Sequence, residues 1–317
     1  MWLIFLLYFL MASTFTLAKT AVFYMHPVYF IALRMLIAGG ALLGFLYWFK
    51  NEHFRPVGSN YWEFAKIIIF HIYCAFVLEF WALQYVTSAK NALFYNLSPF
   101  ITALLTYFLF NQKLSMQKWI GLMIGFAAML PILVAHSAQE DQFIGWGFIS
   151  LPEFVLLLAV ASSAYGWIIM KDLVTKKGYN PTMVNGVGMV GGGFAALITA
   201  FYFEGYSPFA WPGHTADMLG TLLAPILGIH ATSIVMGILC LVALIVVANI
   251  IGYNLYAHLL RRYSATFLSF AGFITPFFAS LFGWMFLAEP LTVPFFTSLG
   301  LTVIGLYLFY EDEIRSA

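Results

Sequence analysis

Residues 92–110 read ALFYNLSPFITALLTYFLF, an apolar run that contains no charged residue. A run of about 20 apolar residues is long enough for a helix to cross the roughly 30 Å hydrocarbon core of a bilayer. Backbone groups find no water inside that core, so a segment that spans it is predicted to be helical. The run is therefore typical of a transmembrane helix.

The composition of the whole chain agrees with a membrane protein. Of its 317 residues, 63% are apolar and 9% are charged, whereas soluble domains average roughly 45–50% apolar and about 25% charged residues. So few charges exclude a soluble globular protein and a disordered chain. The net charge of +1 offers no basic surface for nucleic acid. Cys74 and Cys240 stand in apolar runs without ligand spacing, so neither a metal site nor a disulfide framework is predicted.

Further apolar runs of similar length lie along the chain. The first of them, at the N-terminus, lacks the basic start of a signal peptide and is counted as a span. Alternating strands of about ten residues, the pattern of a membrane β-barrel, are absent from the sequence. We therefore predict an all-α integral membrane protein with ten transmembrane helices. The predicted spans are Trp2–Ala21, Val28–Trp48, Ile67–Val86, Ala92–Phe110, Trp119–Val134, Gly147–Met170, Thr182–Phe203, Ser233–Ala257, Thr266–Leu287 and Val293–Tyr310.

Basic residues are concentrated on one side of these spans. With a cytoplasmic N-terminus, most of the 14 Lys and Arg residues fall in cytoplasmic loops, and Lys90 is the one predicted at an outer loop. This asymmetry predicts that both termini are cytoplasmic. The segment Met218–Ile229, interrupted by Pro225, is predicted to be either a short re-entrant or interfacial piece or an irregular outer loop. The outer loops carry acidic residues instead: Glu140, Asp141, Glu204, Asp217 and Glu289.

The two halves of the chain share a sequence pattern. Ser88-Ala89 and Pro99-Phe100 in the first half correspond to Ser264-Ala265 and Pro276-Phe277 in the second. Each half holds five predicted spans, an odd number, so the second half must enter the membrane the other way up. Inverted repeats of this kind are common in secondary transporters, whose substrate site lies near the membrane midplane between the repeats.

The repeat predicts four segments. Residues 1–135 form the first five-helix repeat, and residues 147–310 form the second. Residues 136–146 connect them on the outer side, and residues 311–317 are a cytoplasmic tail. Within the repeats, the small-residue runs Gly40-x3-Gly44, Gly121-x3-Gly125 and Gly188-x3-Gly192 are predicted to permit close contacts between helices.

These motifs resemble the EamA-type transporters of the drug/metabolite transporter superfamily. The resemblance is carried by Pro27 followed by Arg34, by Ala82–Ala89 (ALQYVTSA), by Pro99-Phe100, and by Gln112-Lys113-Leu114-Ser115 before Trp119-Ile120-Gly121. Glu289 stands where that family usually places a glutamate, whereas Gln112 replaces it in the first half. The resemblance implies ten helices around a central cavity and movement of small amphipathic metabolites, often amino acids or their derivatives.

Ionisable side chains at bilayer depth are costly, and therefore mark candidate functional sites. Glu79, Arg34 and Lys19 are predicted in the outer half of the membrane, at similar depths, where one polar pocket can hold all three. Glu79 is predicted to hold a positive group of the substrate or to exchange a proton, and Arg34 to bind a substrate carboxylate. The alternatives are a buried structural pair and, for Lys19, extension to the interface. Glu153 is predicted to be an interfacial carboxylate.

Aromatic and amide side chains complete the candidate substrate-binding set. Aromatic rings can stack on a planar group or face a cation, and amides supply neutral hydrogen bonds. His71, eight residues before Glu79 on the same helix face, is either a proton relay or a packing residue. The binding candidates are Trp81, Tyr85, Tyr95, Asn96, Trp167 and Asn254.

The favoured function is a secondary transporter of the cytoplasmic (inner) membrane that works by alternating access. Its substrate is predicted to be a zwitterionic metabolite, either an amino acid or a derivative such as S-adenosylmethionine, which some relatives of this superfamily from intracellular bacteria carry. No cofactor, metal or nucleic acid is predicted as a partner, and a coupling proton or a counter-substrate is left open. The alternatives are an integral-membrane enzyme or a flippase acting on lipid or isoprenoid substrates.

Overall fold

The computed structural model describes residues 2–50, 58–111, 115–131, 149–209, 225–226, 229–252, 255–256, 259 and 272–315. In these residues the chain is built from helices, and the β-pairing is an isolated bridge between Met25 and Phe209. The all-α class predicted from the sequence is therefore confirmed. The predicted loop 136–146, Asn254 and most of the segment Met218–Ile229 lie outside the described residues.

Eleven α-helices are labelled here in chain order, with bounds as follows. α3 contains a π-helical segment, Ile67–Cys74, and α9 continues into another, Ile245–Gly252; short 3-10 turns cover Gly58–Asn60 and Gly272–Ile274. The helices are α1 (Trp2–Tyr24), α2 (Pro27–Phe49), α3 (Tyr61–Leu83), α4 (Ser88–Tyr95), α5 (Ser98–Phe110), α6 (Met116–Ala127), α7 (Leu151–Thr175), α8 (Pro181–Phe203), α9 (Ile229–Leu244), α10 (Thr275–Leu287) and α11 (Val293–Arg315).

Helix length and apolarity identify a multi-pass membrane protein. In the described part of the chain, seven helical segments are long and apolar enough to cross a membrane. The apolar segments Gly272–Leu287 and Val293–Phe309 are shorter. The seven segments are Trp2–Tyr24, Pro27–Phe49, Tyr61–Leu83, Ser88–Leu109, Leu151–Thr175, Pro181–Phe203 and Ala231–Gly252.

The predicted fourth span differs from the structure in two respects. It begins at Ser88 rather than Ala92, because the Thr87 hydroxyl accepts a hydrogen bond from the Lys90 N–H and caps α4. Lys90, predicted in an outer loop, therefore lies inside the helix. The span is also divided at Asn96 and Leu97 into α4 and α5, just before Pro99, whose missing N–H and ring disfavour a continuous helix.

Corresponding residues of the two halves adopt the same backbone conformation. Asn111 follows α5 and Ala288 follows α10 as their C-caps, and these two non-glycine residues have φ of 52° and 54°. Each helix has a proline in its first turn, Pro99 or Pro276. A residue in the left-handed conformation after a helix commonly allows the last carbonyls of that helix to be hydrogen-bonded. At Ala288 this conformation is unfavourable, because the Cβ atom of alanine comes too close to the backbone. The sequence pattern shared by the halves thus corresponds to a shared local geometry.

Glycines bring two pairs of helices, one from each half, into backbone contact. A Cβ atom added at Gly39 of α2 would lie 2.9 Å from the carbonyl oxygen of Gly186 in α8. One added at Gly121 of α6 would lie 2.6 Å from that of Gly305 in α11. Such distances are shorter than any real Cβ contact, so only glycine permits these approaches.

The predicted small-residue runs are therefore confirmed in part. Gly121, Gly125, Gly188 and Gly192 all lie against neighbouring chain segments, as expected. The prediction for the run that begins at Gly40 was wrong. A Cβ atom at Gly40 would meet nothing within 4 Å, and its neighbour Gly39 makes the contact with α8. One residue rotates the helix surface by about 100°, so adjacent glycines face different surroundings.

We expect Gly305→Ala to destabilise the protein, because its Cβ atom would lie 2.7 Å from the Gly125 backbone nitrogen and force α6 and α11 apart. Overpacking of this kind costs about 1–3 kcal/mol. Thermal unfolding of the purified protein in detergent measures the effect. Gly300→Ala on the same helix is the control, since nothing lies within 4 Å of its Cβ position. Equal melting temperatures for the two variants would contradict the close α6–α11 contact.

Candidate functional site

The Glu79 carboxylate is the centre of a buried polar cluster. Glu79 lies on α3 with 6% of its surface exposed. Its two oxygens accept hydrogen bonds from two side chains of α4: Asn91 Nδ2 donates at 3.0 Å and Tyr95 Oη at 2.7 Å. Residues four apart share one face of a helix, so α4 presents both donors to the same carboxylate.

Arg34 lies beside this cluster. It is 5% exposed on α2, and its Nε donates to Asn249 Oδ1 at 3.2 Å. The guanidinium carbon stands 5.5 Å from the centroid of the Phe76 ring, one helical turn before Glu79. Phe76 and Glu79 are three residues apart on one face of α3, so the guanidinium lies near the carboxylate. The structure therefore brings together the two opposite charges that the sequence analysis selected.

Neither Asn91 nor Asn249 was among the candidates selected from the sequence. Asn91 is fully buried, yet it precedes the apolar run from which the fourth span was predicted. A usable signal was present, because Asn91 and Tyr95 are four residues apart, as polar neighbours on one helix face are. Asn249 lies in the π-helical segment after α9. It contacts Arg34, which is distant in sequence, and sequence periodicity cannot reveal such a contact.

Lys19 makes a different kind of contact. Its ammonium group donates to the carbonyl oxygens of Leu83 at 2.6 Å and Gln84 at 3.2 Å, where α3 ends. It also stands 5.6 Å from the centroid of the Phe23 ring. The last carbonyls of a helix lack intrahelical partners and favour a cation. Lys19 thus fastens α1 to the end of α3, a structural use that the binding prediction did not include.

The aromatic candidates occupy three separate places. Trp81 and Tyr85 pack against each other at the end of α3, with ring centroids 5.2 Å apart, and both are partly buried. Tyr95 packs edge-on against Phe15 of α1 at 5.8 Å. Trp167, in contrast, is 40% exposed on α7. Its ring lies edge-on to that of His71, outside the Glu79 cluster.

Asn96 and His71 are buried polar side chains near helix irregularities. Asn96 follows α4 at the break before α5, and its Nδ2 has no hydrogen-bond partner among the described residues. His71 lies in the π-helical segment of α3, with its ring edge-on to Trp167 at 4.7 Å. A Cβ atom at Gly166 would lie 2.4 Å from the His71 Cβ. His71 therefore packs at a close approach of α3 and α7.

Glu153 is fully buried and paired with Lys90, which corrects the prediction of an interfacial carboxylate. Lys90 Nζ lies 2.5 Å from Glu153 Oε1, and the two side chains are 4% and 0% exposed. The other Glu153 oxygen accepts from the Ser150 N–H at 2.7 Å in a capping box that starts α7. The pair joins the two halves of the chain, a long-range contact that hydropathy alone cannot predict.

Two further carboxylates from the second half meet helix N-termini of the first half. Glu289 accepts from the Ser88 N–H at 2.8 Å and the Ser88 hydroxyl at 2.7 Å, at the start of α4. Glu204 accepts from the N–H groups of Val28 and Tyr29, both at 2.9 Å, at the start of α2. Burial raises the pKa of Glu204 above its ordinary value, while these two N–H groups act in the opposite direction.

Such contacts are favourable because the first N–H groups of a helix lack intrahelical partners and its positive dipole end attracts anions. Glu204 and Glu289 were both predicted in outer loops, and the structure shows that they hold the two halves together.

Metal binding is a separate question. Within the described ranges, no group of three or more His, Cys, Asp or Glu side chains is placed to hold a metal ion.

Comparison with known proteins gives the family. The model of the EamA-like transporter family matches residues 1–134 and again residues 150–311. The chain belongs to the EamA-like transporter family. The buried charged cluster is therefore found in a membrane transporter and not in an enzyme, and the resemblance described from the sequence motifs is confirmed.

Curated relatives of this EamA-like transporter include proteins named for their substrates. The S-adenosylmethionine/S-adenosylhomocysteine transporters of Chlamydia muridarum and of Chlamydia trachomatis serovar L2 are each 31% identical to it over 314 residues. The alignments cover 99% of this chain and 92% and 89% of the two relatives. The uncharacterized transporter YvbV of Bacillus subtilis is 23% identical, over 92% of this chain and 85% of that protein.

A solved crystal structure shares the fold of this EamA-like transporter. It superposes with a TM-score of 0.61 at 18% sequence identity, and the match covers 99% of this chain and 97% of the other.

We expect Lys19→Met to lower the stability of the transporter without changing the substrate affinity of the folded fraction. The substitution removes hydrogen bonds from an ammonium group to the end of α3, and bonds to charged groups contribute about 1.5–3 kcal/mol. Thermal unfolding and equilibrium binding on the same purified sample separate the two effects. Lys171→Met, at an exposed position of α7, is the control. A loss of affinity at unchanged melting temperature would show that Lys19 binds substrate.

Proposed function

We propose that the chain is a secondary transporter of a zwitterionic sulfonium nucleoside of the S-adenosylmethionine type. The observation that carries the proposal is the buried Glu79 carboxylate, held by Asn91 and Tyr95 with the Arg34 guanidinium nearby. A negative and a positive group at similar depth match a substrate that carries both charges. The names of the chlamydial relatives support the same substrate class.

The hydrogen bonds to Glu79 favour a particular kind of cation. An ionised carboxylate has about four acceptor sites, and Asn91 and Tyr95 use one on each oxygen. An ammonium group brings three N–H donors that all need acceptors, whereas a sulfonium brings positive charge and no N–H donor. Asn91 and Tyr95 leave about two of these sites, fewer than the three donors of an ammonium group need, whereas a sulfonium needs only the negative charge.

Arg34 supplies the complementary group for the amino-acid carboxylate of the substrate. Its Nε donates to Asn249 Oδ1, and the planar guanidinium fork matches a carboxylate in a bidentate pair. The rings near this cluster, Phe76 and Tyr95, provide faces and edges for a planar base or a cation. Trp81 and Tyr85 are further candidates for this contact, and Asn96 offers an unengaged amide donor to a polar edge of the base.

The architecture proposed for this function has ten helices in two inverted repeats, residues 1–135 and 147–310, with both termini in the cytoplasm. Support comes from the two separate matches to the family model and from the equivalent helix ends at Asn111 and Ala288. The paired contacts α2–α8 and α6–α11 join corresponding helices of the two halves. The bacterial inner membrane is the proposed location.

Alternating access with exchange of substrates is the proposed mechanism. The relatives are named for both S-adenosylmethionine and S-adenosylhomocysteine, which differ by the methyl group that makes the sulfur a cation. Both compounds share the adenosine and amino-acid parts, so one site can hold either of them. We therefore propose S-adenosylhomocysteine as the counter-substrate, which makes a coupling proton unnecessary.

Proteoliposomes test this function directly. With S-adenosylhomocysteine trapped inside, we expect uptake of labelled S-adenosylmethionine well above that into empty liposomes and into vesicles loaded with buffer. No uptake from folded, reconstituted protein, or uptake that a proton gradient drives without an internal substrate, would overturn exchange. Labelled amino acids offered in parallel test the broader substrate class.

We expect Glu79→Gln to weaken the binding of S-adenosylmethionine by at least roughly tenfold, the factor given by about 1.4 kcal/mol. The amide keeps the size of the side chain and loses its charge. Glu63→Gln is the matched control, because this carboxylate lies 4.0 Å from Lys177 and is partly exposed. Wild-type affinity in Glu79→Gln would remove Glu79 from the site.

Arg34→Gln in the same assay tests the second charge. We expect it to weaken binding of every ligand that carries the amino-acid carboxylate. If Glu79→Gln and Arg34→Gln both misfold while the double variant folds and transports, the two residues are a structural pair and the binding role is wrong.

A further inference from the structure

The short helix α4 connects two groups of buried contacts. At its first turn, Ser88 and Lys90 meet Glu289 and Glu153 of the second half of the chain. One turn later, Asn91 donates to Glu79, and Tyr95 does so from the last residue of the helix. Eight residues thus carry both an inter-half contact and the donors that hold the candidate substrate carboxylate.

The ends of α4 allow it to move as one piece. Towards α5 it is interrupted at Asn96 and Leu97, and Pro99 prevents an unbroken helix. Towards α3 it is separated by a turn that ends at Thr87, the N-cap. A rigid segment between two breaks can tilt without unfolding, as hinge-bounded elements do in other conformational changes.

The contacts between the two halves differ at the two ends of the helices. At the end where α4 begins, the ion pair Lys90–Glu153 is buried, and Glu289 is 9% exposed. At the opposite end, the pair Lys177–Glu63 spans 4.0 Å with side chains 42% and 29% exposed. Buried charges lose far more than exposed ones when their partner is removed. Of these two ion pairs, the one at the α4 end is therefore the stronger connection between the halves.

We propose that Lys90–Glu153 and Ser88–Glu289 form a latch that holds α4 against Glu79 and closes the substrate site towards this face of the membrane. Opening towards this face requires release of the latch, and the same tilt of α4 withdraws Asn91 and Tyr95 from Glu79. The four latch residues are positioning residues for transport and do not touch the substrate. The role of α4 in transport rests on the proposed function, whereas closure of this face by the latch does not.

Accessibility of a buried reporter tests the latch without any substrate. In protein with Cys74 and Cys240 replaced by serine, Val86→Cys places a thiol at a fully buried position between α3 and α4. The protein is held in nanodiscs, so that a membrane-impermeant maleimide reaches both faces. The latch is weakened by Lys90→Met together with Glu153→Met, which avoids an unpaired buried charge.

We expect labelling of the thiol at position 86 to become at least roughly tenfold faster in the Lys90→Met/Glu153→Met protein, the factor that corresponds to about 1.4 kcal/mol of lost closure. The matched control replaces Lys177 and Glu63 by methionine and leaves this labelling rate unchanged. A second reporter, Leu173→Cys, is fully buried near the opposite end and stays slow in both proteins. Fast labelling of both reporters would mean general loosening and would overturn the latch, as would an unchanged rate at position 86.

Substitutions of Glu289 provide a second experiment if the Lys90→Met/Glu153→Met protein does not fold. Glu289→Gln keeps an oxygen that can accept from the Ser88 N–H, whereas Glu289→Ala removes it. We expect faster labelling at position 86 in the alanine variant and near wild-type labelling in the glutamine variant; equal rates in the two would contradict the latch. If the labelling changes as expected while proteoliposomes take up no S-adenosylmethionine, the latch stands and the proposed substrate fails.

Discussion

A carboxylate buried among apolar helices must be met by donors or cations of the protein, because hydrocarbon supplies neither. Glu79 is met by Asn91 and Tyr95, and Glu153 by Lys90 and the backbone of Ser150. Glu204 and Glu289 are instead met by the N-termini of helices in the other half. This requirement fixes how the helices of the two halves are placed against each other.

The same requirement separates what the sequence could predict from what it could not. Long apolar runs predicted the helices, and charge within apolar runs selected Glu79 and Arg34, which are buried, because each of these signals is local. Lys90 was assigned to a loop because its charge lowers the local hydropathy. Hydropathy contains no information about its partner Glu153, which is distant in sequence. Ion pairs and helix caps between the halves are long-range contacts, and a single sequence contains no periodicity that reveals them.

Backbone irregularities place the candidate binding groups. The break between α4 and α5 lets one short helix present Asn91 and Tyr95 to Glu79, and the π-helical segment after α9 brings Asn249 to Arg34. Unwound helices at membrane depth are tolerated where protein surrounds them, and they form the binding sites of many transporters. Family membership explains the fold, while the pair of opposite charges beside these irregularities carries the argument for a zwitterionic substrate.

The central claim is that the Glu79 carboxylate recognises the positive sulfur of the substrate. The most direct measurement is the ratio of the dissociation constants of S-adenosylhomocysteine and S-adenosylmethionine, determined by titration calorimetry for the wild-type protein and for Glu79→Gln. The account predicts that the wild-type protein prefers the sulfonium by roughly tenfold, about 1.4 kcal/mol, and that the ratio falls towards one in the variant. An unchanged ratio in a folded variant that binds both compounds would contradict it.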